Sequence, residues 1–233
     1  MDPAADTSSN GSDAGEPGAV ATPGLPGEPT PAVDLGASGG RVIPGRLDGG
    51  RLELTEASRF GNGPVTVHGT LHWDILALYR SMLEGLRAAA SSCRLASVGV
   101  DAWGLDYGLL GQDGSLLGNP VHYRDGRTAS VVAPVPERIP ATELYSVTGI
   151  QQLPINTIYQ LAAAAGTPQL GAAATLLLIP DLLSYRLTGE IGAEVTNAST
   201  TQLYDINAKT WAAALMERIG IPSHIFPALR RPR

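Results

Sequence analysis

The sequence predicts an α/β protein built on a mixed sheet. Three features lead there. Short apolar runs are joined by glycine turns between residues 32 and 60, the spacing turns helical at Asp74, and strand-like and helix-like segments follow each other afterwards.

Ala32–Leu35 reads as the first strand, with Arg41–Leu47 returning beside it across a glycine-rich turn. Asp48-Gly49-Gly50 signals a second turn, and a third strand is expected near Leu52–Phe60. From Asp74 the period changes. Ile75, Leu78, Tyr79, Met82, Leu83 and Leu86 recur at three- and four-residue steps, which is one face of an amphipathic helix capped by Asp74. Leu95–Val100 returns to strand character, and Tyr107–Leu110 is a strand entering the turn Gln112-Asp113-Gly114. Pro180, Leu182, Leu183 and Leu187 predict a helix that stops at Gly189. A last helix is expected from Thr210, carrying Trp211, Leu215 and Ile219 and ending at Gly220. No internal repeat is visible.

With 233 residues, 43% of them hydrophobic and 16% charged, the chain can bury a substantial core. Asp2, Asp6, Asp13, Glu16 and Glu28 stand in residues 1–30 with no basic residue, so the formal charge of -6 leaves only -1 for the body. Such a body has no basic stripe for nucleic acid. Residues 1–31, rich in Gly, Pro, Ala, Ser and acid, are expected to be a disordered tail. Residues 32–229 form the expected domain, possibly incomplete, and 230–233 trail from it. The single Cys93 excludes an intrachain disulfide and suits a reducing compartment. A basic region followed by an apolar run is missing at the start, and the apolar stretch Ala172–Pro180 is too short to span a bilayer. A cytoplasmic protein with no membrane partner is the expectation.

Two clusters carry chemistry. In Val33-Asp-Leu-Gly-Ala-Ser-Gly-Gly-Arg41, Asp34 ends a strand where a carboxylate can hold Mg²⁺. Gly36, Gly39 and Gly40 leave backbone N–H groups, with that of Ala37, free to form an anion-binding concavity. Ser38 adds a hydroxyl and Arg41 a guanidinium. A plain hairpin turn explains the same composition, and neither GxGxxG nor GxxxxGK[ST] is present. In Asp101-Ala-Trp-Gly-Leu-Asp106, Trp103 can shield one side of a polyol, Gly104 permits close approach and Asp106 can accept hydroxyl hydrogens. Taken by themselves, these residues are better accounted for by a strand end followed by a core tryptophan and a surface aspartate.

Arg124 and Asp125 are expected to form a supporting ion pair, with Arg124 reaching the substrate as the second reading, and Asn197–Gln202 to border the cleft or bond locally to backbone. His68, His72, His122 and His224 show no metal spacing, and Cys93 has no activating partner.

The first cluster resembles the leading phosphate motif of the FGGY carbohydrate kinases, whose nucleotide-binding core has the actin-like ATPase, ribonuclease H-like fold. Further blocks resemble the rhamnulokinase branch: GNGPVTVHGTLHWDILALY, GVDAWGLDYGLLGQDGSLLGNPVHYRD, TGIQQLPINTIYQL, LLLIPDLLSYRLTGE and TNASTTQLYD. They cover most of residues 32–227 in order. The chain departs from the family at Gly39, where serine is usual. The resemblance implies an N-terminal kinase domain only, transferring phosphate from Mg-ATP to the 1-hydroxyl of the small ketose L-rhamnulose. It implies a backbone contact from Gly104 to the sugar and a sugar-pocket segment that includes Asn156. The family's catalytic aspartate and most of its adenine pocket lie downstream of this stretch, so no catalytic residue is assigned here. Little activity is expected of the chain alone, with a second chain as one source of the missing C-terminal domain. A non-catalytic sugar-binding module and half of a split kinase stand as alternatives.

Overall fold

The computed structural model describes residues 28–231. β1 (Thr30–Leu35) and β2 (Gly39–Asp48) form the expected antiparallel hairpin, with Asp34 opposite Arg41. β1 takes in Thr30 and Pro31, which had been assigned to the tail; residues 1–27 of that tail lie outside the described residues. Gly49 and Gly50, both at positive φ, turn the chain into β3 (Arg51–Leu54). The third strand is in fact two, since β3 and β4 (Ser58–Gly61) pair with successive halves of β2. They part beside Pro44, whose carbonyl accepts from Thr55 N–H but which has no N–H to return. The partner strand bulges past that gap.

β5 (Pro64–Val67) and β6 (Thr70–Trp73) form a hairpin not anticipated from sequence, turned at His68 and Gly69 with φ of 49° and 81°. α1 (Ile75–Ser92) follows as expected, and Asp74 accepts from Ala77 N–H at 3.0 Å. Its Ile75, Leu78 and Met82 join Val33, Leu35 and Val42 in one core. Each such burial contributes about 1.5–3 kcal/mol. β7 (Gly99–Ala102) runs parallel to β1, giving a mixed sheet ordered β3-β2-β1-β7 with β4 also on β2. β7 begins four residues later than Leu95, because its position is set by pairing with β1 rather than by its own apolar run.

β8 (Tyr107–Leu110) enters the expected turn, where Gly114 has φ of 76°. α2 (Pro134–Arg138), α3 (Ala141–Thr148), α4 (Thr157–Ala164) and α5 (Pro168–Gly171) lead to β9 (Thr175–Leu178), antiparallel to β8. Tyr107, Leu109, Leu176 and Leu178 enter a second core, while Leu110 and Leu177 enter the first. This strand pair is the wall between two cores, which is why Leu109–Leu110 and Leu176–Leu178 are apolar without alternation. α6 (Ile179–Thr188) stops at Gly189, in the left-handed region as expected.

The remaining elements are short: β10 (Ala193–Glu194), α7 (Val195–Ser199), β11 (Tyr204–Asp205), β12 (Thr210–Trp211), α8 (Ala213–Arg218) and β13 (Leu229–Arg230). The helix expected from Thr210 begins instead after Ala212. Trp211 pairs with Tyr204, donates Nε1–H to Pro227 O at 2.8 Å and packs on Phe226, so tertiary contacts override its helical spacing. Arg230, expected to trail outside the domain, pairs with Glu194 through β13. Among the described residues no helix is long and apolar enough to cross a membrane.

Candidate functional site

Gly36, Ala37 and Ser38 form the loop between β1 and β2. Gly36 N–H donates to Gly39 O at 2.8 Å, so that amide closes the turn instead of facing a ligand. Asn62 braces the loop, donating Nδ2–H to Gly36 O at 2.8 Å. The amides of Ala37 and Ser38 make no hydrogen bond among the described residues. A Cβ on Gly40 would lie 2.5 Å from the Phe60 ring, and Gly39 stands opposite Gly61. These glycines answer to packing and strand pairing, and they leave the floor of the cavity bare. The cavity is about 720 Å³, lined from the loop side by Asp34, Gly36, Ser38, Gly39, Gly40 and Arg41. Arg59, Phe60 and Gly61 close its other side, and no local sequence signal marked them.

Two of the three Arg41 guanidinium nitrogens donate to one oxygen of Asp34, at 3.0 Å from Nε and 2.7 Å from Nη2. Asp34 Oδ1 carries no bond among the described residues, and the pair is part exposed. Val33, Leu35 and Val42 point into the core. Their neighbours Asp34 and Arg41 therefore occupy the opposite face. Register extends that row across four strands: Asp101 beside Asp34, Asp34 beside Arg41, Arg41 beside Arg59.

The residues expected to hold a sugar are distributed differently. Asp106 is fully buried. Its Oδ2 accepts from Trp73 Nε1 at 2.6 Å, Trp103 Nε1 at 3.1 Å and Tyr123 N at 3.1 Å, and its Oδ1 from Gln160 Nε2 at 2.9 Å. Burial pushes its carboxyl above the usual range against the pull of these bonds. Asp106 is thus a tie between segments, neither a surface aspartate nor an acceptor with an oxygen free for a sugar hydroxyl. Trp103 lies against Trp73 at 4.0 Å between ring centroids, and Trp73 stacks on His122 at 4.1 Å. Asn156 is also buried, donating to Gln151 O and Gln202 Oε1 at 2.8 and 3.0 Å, so its amide joins two loops.

Gly104 is the expected sugar residue that lies in a cavity. That space, about 310 Å³, is bounded by Asp101 and Gly104, by Asp181 and Ser184 of α6, and by Asn197 and Thr200. A Cβ on Gly104 would come within 2.7 Å of Thr200 Oγ1. Leu105 next to it has φ of 81°, and Asp106 N–H donates back to Gly104 O at 3.0 Å. This is a γ-turn of the strained, positive-φ kind. Thr157 holds it by donating Oγ1–H to Leu105 O at 2.7 Å. Asp181 accepts from Glu194 N–H at 3.2 Å through Oδ1, while its buried Oδ2 and Asn197 Nδ2 have no partner among the described residues. Burial pushes Asp181 up to about 7. A buried donor and a buried acceptor without partners, on residues that line a cavity beside a bare glycine, suit a polyhydroxylated ligand that could reach them after a small side-chain shift.

The expected Arg124–Asp125 ion pair does not form. Arg124 lies over the Tyr123 ring, and Asp125 accepts from Leu71 N and Arg127 N. Thr200 and Thr201 bond back to Asn197 O and Ala198 O, the local pattern foreseen as one reading of that block. Among the described residues no group of three or more His, Cys, Asp or Glu is arranged to hold a metal.

The profile of the FGGY family of carbohydrate kinases, N-terminal domain, matches residues 32–233. The chain is similar to the rhamnulokinase of Yersinia pestis bv. Antiqua (strain Angola), 45% identical over 206 residues covering 86% of this chain and 42% of that one. It is similar also to the rhamnulokinase of Enterococcus faecalis (strain ATCC 700802 / V583), 42% identical over 86% of this chain and 41% of the relative. It therefore spans less than half the length of these curated relatives. Among solved structures it resembles a ligand-bound xylulose kinase from Lactobacillus acidophilus, with a TM-score of 0.78 at 20% identity, covering 88% of this chain and 42% of that one. A Plasmodium falciparum glycerol kinase with ADP gives a TM-score of 0.73 at 18% identity, over 88% and 43%. At these identities the structural likeness concerns the fold, an actin-like α/β architecture.

Proposed function

The chain belongs to the FGGY family of carbohydrate kinases, and from that premise we propose that it is the part of an L-rhamnulose kinase that grips the triphosphate and presents the ketose to it. The observation that carries this reading is the register of β1 and β7, which sets Asp34 beside Asp101. Neighbouring strands lie about 4.8 Å apart. Through that pair the anion-type cavity over the hairpin adjoins the polar cavity at Gly104.

The ketose occupies the Gly104 cavity, with Asp181 and Asn197 supplying the acceptor and the donor that lack partners. The triphosphate lies over the hairpin, its oxygens taken by the Ala37 and Ser38 amides, the Ser38 hydroxyl and Arg41. Asp34 is the residue that would hold Mg²⁺. Its free Oδ1 and part exposure fit an ion that is commonly bound by one or two carboxylates plus substrate phosphates. Such an ion neutralises charge on the phosphates during transfer. The chain's own residues then orient the 1-hydroxyl toward the γ-phosphoryl group, and the proton leaves to a carboxylate outside this cluster. Asp106 is unsuited to that task, since both its oxygens already accept hydrogen bonds.

On this reading the 233-residue chain binds its ligands and, by itself, turns over slowly or not at all. An ADP-release assay with L-rhamnulose, run beside titrations of MgATP and sugar separately, tests it. Binding with negligible turnover is expected. Turnover of about 1–100 s⁻¹, the range of ordinary kinases, would refute the need for further residues. Sugar binding with no MgATP binding would favour a sugar-binding module instead.

A further inference from the structure

Arg59 is unused by the reading above, yet it lines the hairpin cavity. We propose that Arg59 is a second phosphate-binding guanidinium, held by Glu56 until an anionic ligand enters. The inference rests on the hairpin cavity being a phosphate site.

Arg59 pairs in register with Arg41 across β2 and β4, so the two guanidinium groups rise from the same face of the sheet. One step along each strand lie Gly40 and Phe60, and then Gly39 opposite Gly61. No long polar side chain stands between Arg59 and the loop. The row that ends in Arg41 and Arg59 begins with Asp101 and Asp34, acidic at one end and basic at the other. A metal-bound phosphate chain has the complementary polarity.

The two arginines are held differently. Arg41 is tied to Asp34, the carboxylate that a cation would need. The Arg59 side chain has hydrogen bonds to Glu56 alone among the described residues, including Nε to Oε1 at 3.0 Å. The side chains of that pair are 62% and 41% exposed. An exposed pair of this kind adds little net stability, so exchanging Glu56 for a phosphate costs little. A guanidinium also offers two parallel donors matched to phosphate oxygens.

The test is calorimetric titration of the full chain with MgATP and, separately, with magnesium pyrophosphate, which isolates the phosphate contacts. Arg59→Ala should weaken both about ten-fold, the equivalent of one charge-assisted contact. Glu56→Gln should tighten both a few-fold by releasing Arg59, and should have no such effect when combined with Arg59→Ala. A merely structural pair would not tighten binding when broken. Circular dichroism checks folding, and if Arg59→Ala does not fold, Arg59→Lys and Glu56→Gln carry the test. Unchanged affinity in folded Arg59→Ala, or weaker binding in Glu56→Gln, overturns the role of Arg59 and leaves the phosphate site standing. Failure of the wild-type chain to bind either probe overturns both.

Discussion

Gly104→Ala isolates the close approach that shapes the cavity beside Asp181 and Asn197. The new Cβ would sit 2.7 Å from Thr200 Oγ1, 3.2 Å from its Cβ and 3.3 Å from its Cγ2. A χ1 rotation that turns the Thr200 Cβ–H toward the new methyl would remove the 2.7 Å contact, but it breaks the bond to Asn197 O and leaves the Cβ at 3.2 Å, so the relief is only partial. Overpacking of this kind costs about 1–3 kcal/mol. Thr200 also donates to Asn197 O at 2.8 Å, a bond worth about 0.5–1.5 kcal/mol that a forced shift would weaken. Denaturant unfolding should therefore show Gly104→Ala destabilised by about 2 kcal/mol with an unchanged m-value. Thr200→Gly removes the obstructing Cβ, and the double variant should be no less stable than Thr200→Gly alone, a favourable coupling of about 1–2 kcal/mol. If the proposed function holds, L-rhamnulose affinity should also fall in Gly104→Ala, because Gly104 and the displaced Thr200 both line the cavity. Equal stability of Gly104→Ala and wild type, or additive losses in the double variant, would refute the close-contact account. Loss of sugar affinity without loss of stability would instead assign the glycine wholly to the ligand.

Further predictions follow from the buried carboxylates and the helix cap. Asp181 has its folded pKa raised to about 7 from 3.8. Its contribution is therefore favourable at low pH and is lost as pH rises through that window, by at most about 4 kcal/mol. Asp181→Asn should flatten the stability profile between pH 4 and pH 7, and urea midpoints that still fall in parallel with wild type would disprove it. Asp106→Asn leaves one acceptor oxygen where four donors converge. Burial already opposes the charge, so the net loss is about 2–4 kcal/mol. A weakened near-ultraviolet tryptophan signal should accompany it, and an unchanged spectrum would count against the tie described. Asp74→Ala removes the cap of α1 and should cost about 1 kcal/mol in thermal or chemical unfolding. A negligible change there would mean that packing alone holds that helix end.

Where neighbouring residues decided the outcome, the amino-acid order was readable. The β1–β2 hairpin, the two-glycine turn after Asp48, the capped α1 and the stop at Gly189 all rest on preferences expressed within a few residues. The hairpin at His68-Gly69 was missed although its signal was present, a two-residue turn between alternating strands. Trp211 misled because helical spacing says nothing about the Pro227 carbonyl that its indole reaches. The Pro44 bulge required knowing which side of β2 the next strand would take.

The sequence by itself determined the family, the leading hairpin and the identity of Asp34, Ser38, Arg41 and Gly104 as candidates, since chemistry-bearing residues there stand within one short motif. Only the tertiary structure decided that Asp106 and Asn156 are buried ties, that Asp181 and Asn197 keep unpartnered atoms at a cavity, and that Arg59 joins Arg41. The physical reason is register: strand pairing places residues side by side whatever their separation along the chain, and no local preference records which strands will meet.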